Sequence, residues 1–546
     1  MRRGRTAAPG RSLSWVDVTA DPRRAPAGAA TGDPDRGAAR AALAVVAPLV
    51  TELGARFDAA GHELALVGGS VRDRLLGRSD TDLDFATSAR PAQTEAALRG
   101  WADSVYGVGR AFGTIGAVKA GTTVEITTYR TETYDRDSRK PAVEYGDTLE
   151  GDLARRDFTV NAMAIRVPAL EFVDPFDGRH DLDGRELRTP GRPEDSFDDD
   201  PLRMMRAARF VSTLRFAVHP SVTAAMTAMA ERITIVSAER VRAELEKLLL
   251  GADPVGGLRL LVNTGLAGHV LPELPAMQLT IDEHHRHKDV YEHSLTVLEQ
   301  AIDLESRLPG GGPDLVNRLA ALLHDIGKPA TRRHEPGGAV SFHHHDEVGA
   351  RLARKRLTAL RFPTAVVDAV SDLIGLHLRF HGYGEAGWTD SAVRRYVRDA
   401  GDRLDRLHVL TRADCTTRNV RKANRLAAAY DSLEERIAAL AAQEELQGLR
   451  PALDGTRIME LLGIGPGPLV GRAWAHLKEL RIDRGPMDPD EAERELLSWW
   501  ADQPESAAGG GNGAGGADRD GSDGAGAKPS RARTSSTTRQ ARPTSG

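Results

Sequence analysis

Cysteine is almost missing from this chain: Cys415 is the single one among 546 residues. One thiol closes no internal disulfide and cannot supply a zinc site built from several thiolates, which fits a reducing compartment. Aromatic residues make up only 5%, and nine of the 73 basic residues are lysine. That arginine bias, with so much Ala and Gly, reads as genome composition rather than function. No apolar run reaches the roughly 18–20 residues that span a bilayer, and the Arg-rich N-terminus lacks the apolar core of about 7–15 residues found in secretory signals. A cytoplasmic protein without a membrane partner is expected. An excess of one charge sign is also missing, since 73 basic side chains face 78 acidic ones and leave a formal charge of −5. Bulk charge therefore announces no nucleic-acid binder, and any polyanion site must arise from local clustering.

What is present is length and ordinary globular composition, 40% hydrophobic and 28% charged. At about 100–200 residues per domain the chain should hold three or more packed units. Residues 1–40 carry Arg, Pro, Gly and Ala without periodicity, and residues 501–546 are Gly-rich and basic. Neither end buries enough apolar surface to offset the entropy of ordering, so both are expected to be disordered. Between them the pattern changes once. Short strand-like runs (Leu64–Val67, Thr114–Val118, Val124–Thr128) mix with helices over 41–185, and Ala120-Gly121 offers a hairpin turn. Beyond about Asp200 nearly every segment has the period of an amphipathic helix, as in Val241–Leu250, Asp314–Leu323 and Val348–Leu360. The expected fold class is α+β: a mixed-sheet head over 41–185, then an all-α neck over 186–275, a histidine-bearing unit over 276–430 and a helical C-terminal tail over 431–500.

The segment Leu64 to Gly77 reads as a strand, a Gly68-Gly69 turn and a helix carrying Arg72 and Asp73. Glycines there let backbone N–H groups approach an anion, although a Gly-Gly turn is by itself ordinary. Asp82-Leu-Asp84-Phe85 follows, and on a strand this spacing turns both carboxylates to one face while Leu83 and Phe85 turn to the core. Two like charges side by side call for a cation, and hard Mg²⁺ prefers carboxylate and phosphate oxygens. Further on come Arg155-Arg156-Asp157 with Asn161, and Asp199-Asp200-Pro-Leu-Arg203 with Arg206 and Arg209. On a continuous helix Asp200 and Arg203 would share a face at i and i+3, as a salt bridge or as one acceptor beside a planar fork of donors.

In their order, G-G-x-x-R-D, D-x-D, R-R-D-x-x-x-N and D-D-x-x-R resemble the signature of the class II tRNA CCA-adding enzymes and bacterial poly(A) polymerases, within the polymerase β superfamily. The family commonly has Glu where Asp199 stands here. The resemblance implies a nucleotidyltransferase head in which Asp82 and Asp84 are catalytic and hold Mg²⁺. It implies a nucleotide site of Gly69, Arg72, Arg156, Asp157, Asn161, Arg206 and Arg209, with Asp200 and Arg203 reading the base. The implied chemistry is in-line attack of a tRNA 3′-hydroxyl on the α-phosphate of CTP or ATP, assisted by two metals, with release of pyrophosphate. The stretch Tyr129 to Pro141 is similar to the flexible loop that separates complete CCA-adding enzymes from CC-adding relatives. Glu125 stands as a further carboxylate near the metals or as an ordinary exposed strand residue.

Eleven of the 17 histidines fall between His284 and His381. The tract His284 to His287 has the look of an exposed surface run. The ordered set His293, His324-Asp325-x-Gly-Lys, His345, His377 and Asp414 resembles the HD phosphohydrolase superfamily. That resemblance implies a divalent metal, of unidentified kind, on His293, His324, Asp325 and Asp414, and a second held by His345 and His377. Basic helices around Arg351 to Arg361 and Arg412 to Arg425 are suited to diffuse contact with RNA phosphates. The expected enzyme adds or repairs the CCA end of tRNA, with tRNA, CTP and ATP as partners and no protein partner. A poly(A) polymerase, and a phosphohydrolase working through the HD site, are the alternatives.

Overall fold

A computed structural model describes residues 37, 46–78, 82–107, 109–133, 142–278, 289–336, 340–383, 388–417, 419–446 and 452–504. The expectations for both chain ends, the His284 to His287 tract, Arg418 and the loop tip over 134–141 lie outside these residues, apart from residue 37 and the helix end at 501–504. The described chain divides into two compact units, residues 1–439 and 440–546.

The head is built on a seven-stranded sheet. Helix α1 (Ala47–Ala59) leads to β1 (Leu64–Val67), α2 (Gly69–Leu75), β2 (Asp82–Thr87), α3 (Pro91–Leu98), β3 (Ser104–Tyr106), β4 (Thr114–Lys119) and β5 (Thr122–Thr128). There follow β6 (Arg130–Thr133), β7 (Ala142–Tyr145), α4 (Leu149–Ala154), β8 (Ala164–Val167) and β9 (Glu171–Val173). The sheet order is β3-β4-β5-β2-β1-β8-β9, with β6 and β7 forming a separate antiparallel ribbon. All four residues of β1 are buried, whereas β2 exposes Asp82 and Asp84 and buries Leu83 and Phe85. The β4–β5 hairpin turns on Ala120 and Gly121, both left-handed at φ 48° and 78°, as a two-residue turn between right-twisted strands requires. Strand β5 runs parallel to β2 in a register that puts Glu125 opposite Asp84.

The head closes with α5 (Gly178–Gly184), and the neck holds α6 (Pro193–Asp199), α7 (Leu202–Leu214), α8 (Pro220–Met229), α9 (Ala238–Leu249) and α10 (Pro254–Asn263). Here one expectation is corrected. Asp200 does not share a helix with Arg203: it lies between α6 and α7 with extended backbone, φ −142° and ψ 98°. Pro201 is the cause, since the residue before a proline is driven out of the α region.

The histidine-bearing unit packs α11 (Val290–Asp303), α12 (Leu315–Leu323), α13 (His345–Ala359), α14 (Thr364–Leu376), α15 (Asp390–Ala400) and α16 (Leu404–Ala413), followed by α17 (Val420–Leu446). One continuous helix, α17, thus crosses the expected boundary at 430. The second unit holds α18 (Gly455–Leu462), α19 (Pro468–Arg484) and α20 (Pro489–Ala501) around Ile458, Ala473, Leu477 and Leu496. No helix among the described residues is long and apolar enough to cross a membrane.

Arg318 of α12 ties the neck to the histidine unit. Its side chain and that of Glu305 are each 6% exposed and form a two-pronged pair, Nε to Oε1 and Nη2 to Oε2, both at 2.8 Å. Its Nη1 donates to the carbonyls of Leu249 and Gly251 at 2.7 and 2.9 Å, satisfying acceptors that the end of α9 leaves free. Arg318→Met should lower the unfolding free energy by about 3–5 kcal/mol, because it strands a buried carboxylate. Urea melts of the full chain measure this. Adding Glu305→Gln should recover part of the loss, and a loss below about 1 kcal/mol would show that Glu305 finds other partners.

Candidate active site and metal centre

Ser70, buried at the start of α2, sets the acidic face of β2. Its hydroxyl donates to the Asp82 carbonyl at 3.3 Å and accepts the Asp84 N–H at 2.9 Å, so the Gly-Gly turn and the two carboxylates form one piece. Gly68 is left-handed at φ 68°, and a Cβ there would stand 2.6 Å from Nη1 of Arg156. The glycine is what lets that guanidinium reach the turn.

Two adjoining clefts, of about 360 and 270 Å³, open beside β2, and Asp84, Arg156, Asp157 and Arg206 line both. Gly69, Arg72, Asn161 and Arg209 complete the smaller. Glu125, Asp200 and Arg203 line the larger. All nine residues expected at the nucleotide site, together with Asp84, therefore meet in one continuous region, while Asp82 stands beside Asp84 on the exposed face of β2.

A chain of polar contacts fixes the cations. Asp157 accepts from the Phe158 N–H and from Asn161 Nδ2, both at 2.9 Å, and from Arg206 Nη2 at 2.6 Å. Burial pushes the Asp157 carboxyl up, but Arg206 and Asn161 outweigh it and hold it far below the usual carboxylate range. Asn161 Oδ1 accepts from Arg72 Nη1 at 2.5 Å. Arg72, Arg206 and Arg209 surround the Phe210 ring, with Arg209 nearest at 4.2 Å. Burial and the neighbouring Arg206 push Arg209 down to about 10, so it is cationic at neutral pH. Each of the three has a carboxylate beside it, Asp73 for Arg72, Asp157 for Arg206 and Glu244 for Arg209, so the site offers guanidinium donors for an anion on a locally balanced charge frame.

Two acids in this frame carry no sequence signature of their own. Asp152, its side chain 1% exposed, holds Arg155 Nη2 at 2.6 Å and Arg156 Nη2 at 3.1 Å, and only the i+3 and i+4 spacing hinted at it. Glu244 of α9 lies 3.6 Å from Arg206 Nη1 and 3.1 Å from Arg209 Nε. Arg354, Arg356 and Arg412 form ion pairs with Asp368, Glu273 and Glu434 respectively.

The histidine set converges as well. His293 comes from α11, His345 opens α13, and His324, His377 and Asp414 cap the C-termini of α12, α14 and α16. The Nδ1 atoms of His324, His345 and His377 lie 2.9, 2.7 and 2.6 Å from the carbonyls of Ala321, Phe342 and Ile374. Donation to those carbonyls leaves each Nε2 lone pair facing the centre, the orientation metal-ligating histidines adopt. The groups fall into two triads, His293–His324–Asp414 and Asp325–His345–His377. Asp325, expected with the first set, lies against His293 and His324 and also meets the second. It bridges the two, with Oδ2 3.2 Å from His324 Nε2 and Oδ1 3.4 Å from His345 Nε2. Gly327 permits this, because a Cβ there would lie 2.0 Å from the His345 carbonyl. His324 Nε2 and Asp325 Oδ1 are buried with no hydrogen-bond partner. Orphaned acceptors among nitrogen and carboxylate donors fit a divalent cation.

The chain matches the poly A polymerase head domain family over residues 64–188, the probable RNA and SrmB-binding site of polymerase A over 215–277, and the HD domain over 290–441. It is 36% identical over 451 residues to an A-adding tRNA nucleotidyltransferase of Deinococcus radiodurans, covering 81% of this chain and 96% of that one. The chain belongs to the tRNA nucleotidyltransferase family. A CC-adding tRNA nucleotidyltransferase of Thermus thermophilus is 34% identical over 452 residues, 81% of this chain and 95% of its own. Among solved structures, the CCA-adding enzyme of Bacillus stearothermophilus in complex with CTP superposes with a TM-score of 0.60 at 26% identity, covering 84% of this chain and 97% of that one.

This nucleotidyltransferase frame predicts two linked outcomes. Asp152→Ala frees two guanidiniums and Gly68→Ala displaces one, so both should raise the KM for nucleoside triphosphate, by about tenfold for the loss of one charged contact. Initial-rate titrations check this; an unchanged KM in both variants would remove Arg156 from the binding site.

Proposed function

We propose that this chain builds or repairs the complete 3′-terminal CCA of tRNA from CTP and ATP without a template, releasing pyrophosphate. The observation that carries this reading is the continuity of the cleft: an arginine-rich half suited to a triphosphate adjoins an acceptor–donor pair, Asp200 and Arg203, with Asp84 lining both parts. Cytosine and adenine each present an amino group beside a ring-nitrogen acceptor, so one carboxylate and one guanidinium serve both bases and take the place of a template. The β6–β7 ribbon, stem of the Tyr129 to Pro141 segment, supports addition of A after the two C residues.

Asp82 and Asp84 suit Mg²⁺, which when bound would neutralise phosphate charge and lower the pKa of the attacking 3′-hydroxyl. Ser70 fixes the backbone of β2 at both acidic positions. Arg72, Arg156, Arg206 and Arg209 hold the triphosphate, and no protein nucleophile is required. Catalysis then rests on positioning and charge. The cytoplasm is the proposed compartment. A second reading, addition of A alone, is favoured by the likeness to the Deinococcus radiodurans enzyme. The histidine centre is proposed to hold divalent metal, with Asp325 between two sites, and to act as an accessory phosphohydrolase.

Labelled CTP and ATP, offered singly and together to two tRNA transcripts, one ending before its CCA and one ending in CC, decide among these readings. Two C then one A supports the proposal. A single A added only to a transcript already ending in CC supports the second reading, and a long A tract from ATP alone overturns both. Asp82→Ala with Asp84→Ala should abolish incorporation while leaving phosphatase activity intact. Elemental analysis of the purified protein should show bound transition metal that His324→Ala with Asp325→Ala removes, with incorporation retained; metal unchanged in that variant would overturn the assignment of the centre.

A further inference from the structure

The two halves of the base-reading pair are held very differently. Arg203 is buried and locked: its Nη1 donates to Ser196 Oγ at 2.8 Å and its Nη2 to the Arg155 carbonyl. Asp200 has one oxygen, Oδ1, accepting the Leu202 N–H at 3.1 Å. Its other oxygen, Oδ2, accepts from Nη2 of Arg240 at 2.8 Å. Arg240 comes from the first turn of α9 in the neck, 55% exposed, and lines the same cleft.

We propose that Arg240 is a specificity-determining positioning residue: it aims the Asp200 carboxylate so that the remaining acceptor direction meets an exocyclic amine. The inference rests on the reading of Asp200 and Arg203 as the base-recognition pair. Cytosine and adenine present that amine. Uracil and guanine present a carbonyl oxygen at the same position, which meets the fixed carboxylate as an unpaired acceptor. A site that rejects by leaving polar groups unpaired discriminates strongly, but only while its geometry is fixed. With Arg240 removed, nothing holds Oδ2 in place, the carboxylate is free to turn, and the contrast between amino and keto bases falls.

The test compares kcat/KM in the full-length enzyme and in Arg240→Ala, Arg240→Lys and Asp200→Ala, for CTP and UTP on the transcript ending before its CCA and for ATP and GTP on the transcript ending in CC. Arg240→Ala should cut the CTP-over-UTP and ATP-over-GTP ratios by about tenfold or more, the yield of one lost charge-assisted hydrogen bond. The loss should lie mainly in the KM of the correct nucleotides, and Arg240→Lys should restore most of it. A uniform fall for all four nucleotides, with ratios unchanged, overturns the proposal, because that is what a structural or RNA-binding role produces. If Asp200→Ala loses the preference while Arg240→Ala keeps it, the role of Arg240 alone fails. If Asp200→Ala also keeps the preference, base reading at Asp200 fails and the inference falls with it. Arg240 is a surface residue, so thermal melts of both its variants should match the parent.

Discussion

The buried carboxylate of Asp157 is the contact on which the head and the start of the neck depend. It takes a backbone N–H from its own loop, the Asn161 amide and the Arg206 guanidinium, and so joins the turn after α4 to helix α7. Through Asn161 the same network reaches Arg72 on α2, and through Arg206 it reaches Glu244 on α9. Four elements far apart in sequence are thus joined through one anion, which sets Arg206 directly and Arg72 through Asn161. Arginines gathered around a phosphate site repel one another when it is empty, and internal carboxylates relieve that repulsion while leaving donors free to face the cleft.

The histidine centre solves a similar problem with helix ends. A terminating helix leaves carbonyls without intrahelical partners, and His324 and His377 place Nδ1 against those carbonyls. The same contact completes the helix and turns the other ring nitrogen inward. Capping and ligand orientation are one interaction, which explains why His324 and His377 sit at helix C-termini instead of mid-helix.

Much of this was legible in the sequence, for identifiable reasons. The alternation in Asp82-Leu-Asp84-Phe85 reports the two faces of β2, and the unbroken apolar run of β1 reports a strand buried on both sides. The order of the motifs pointed to the cleft residues that the fold assembles. Backbone geometry at Asp200 was readable but misread, because Pro201 breaks the helix that the i, i+3 spacing suggests. The partition of the histidine ligands was not readable, since Asp325 faces both triads and only three dimensions show a bridge. Asp152, Glu244 and Arg240 were missed because ordinary helical charges look alike in sequence. Arg240 meets Asp200 only after 40 residues of intervening fold.

Arg318 bears on how the chain divides. The neck and the histidine unit match separate families, with their limits at 277 and 290. Yet the carbonyls of Leu249, last residue of α9, and of Gly251 just past it find their donor in a side chain from beyond that limit. The neck helix is therefore unfinished until α12 has folded, and head, neck and histidine unit form one compact body through residue 439. Domains that are separable in descent are here coupled in folding, and the seam between them is a poor place to cut the chain or to exchange one module for another.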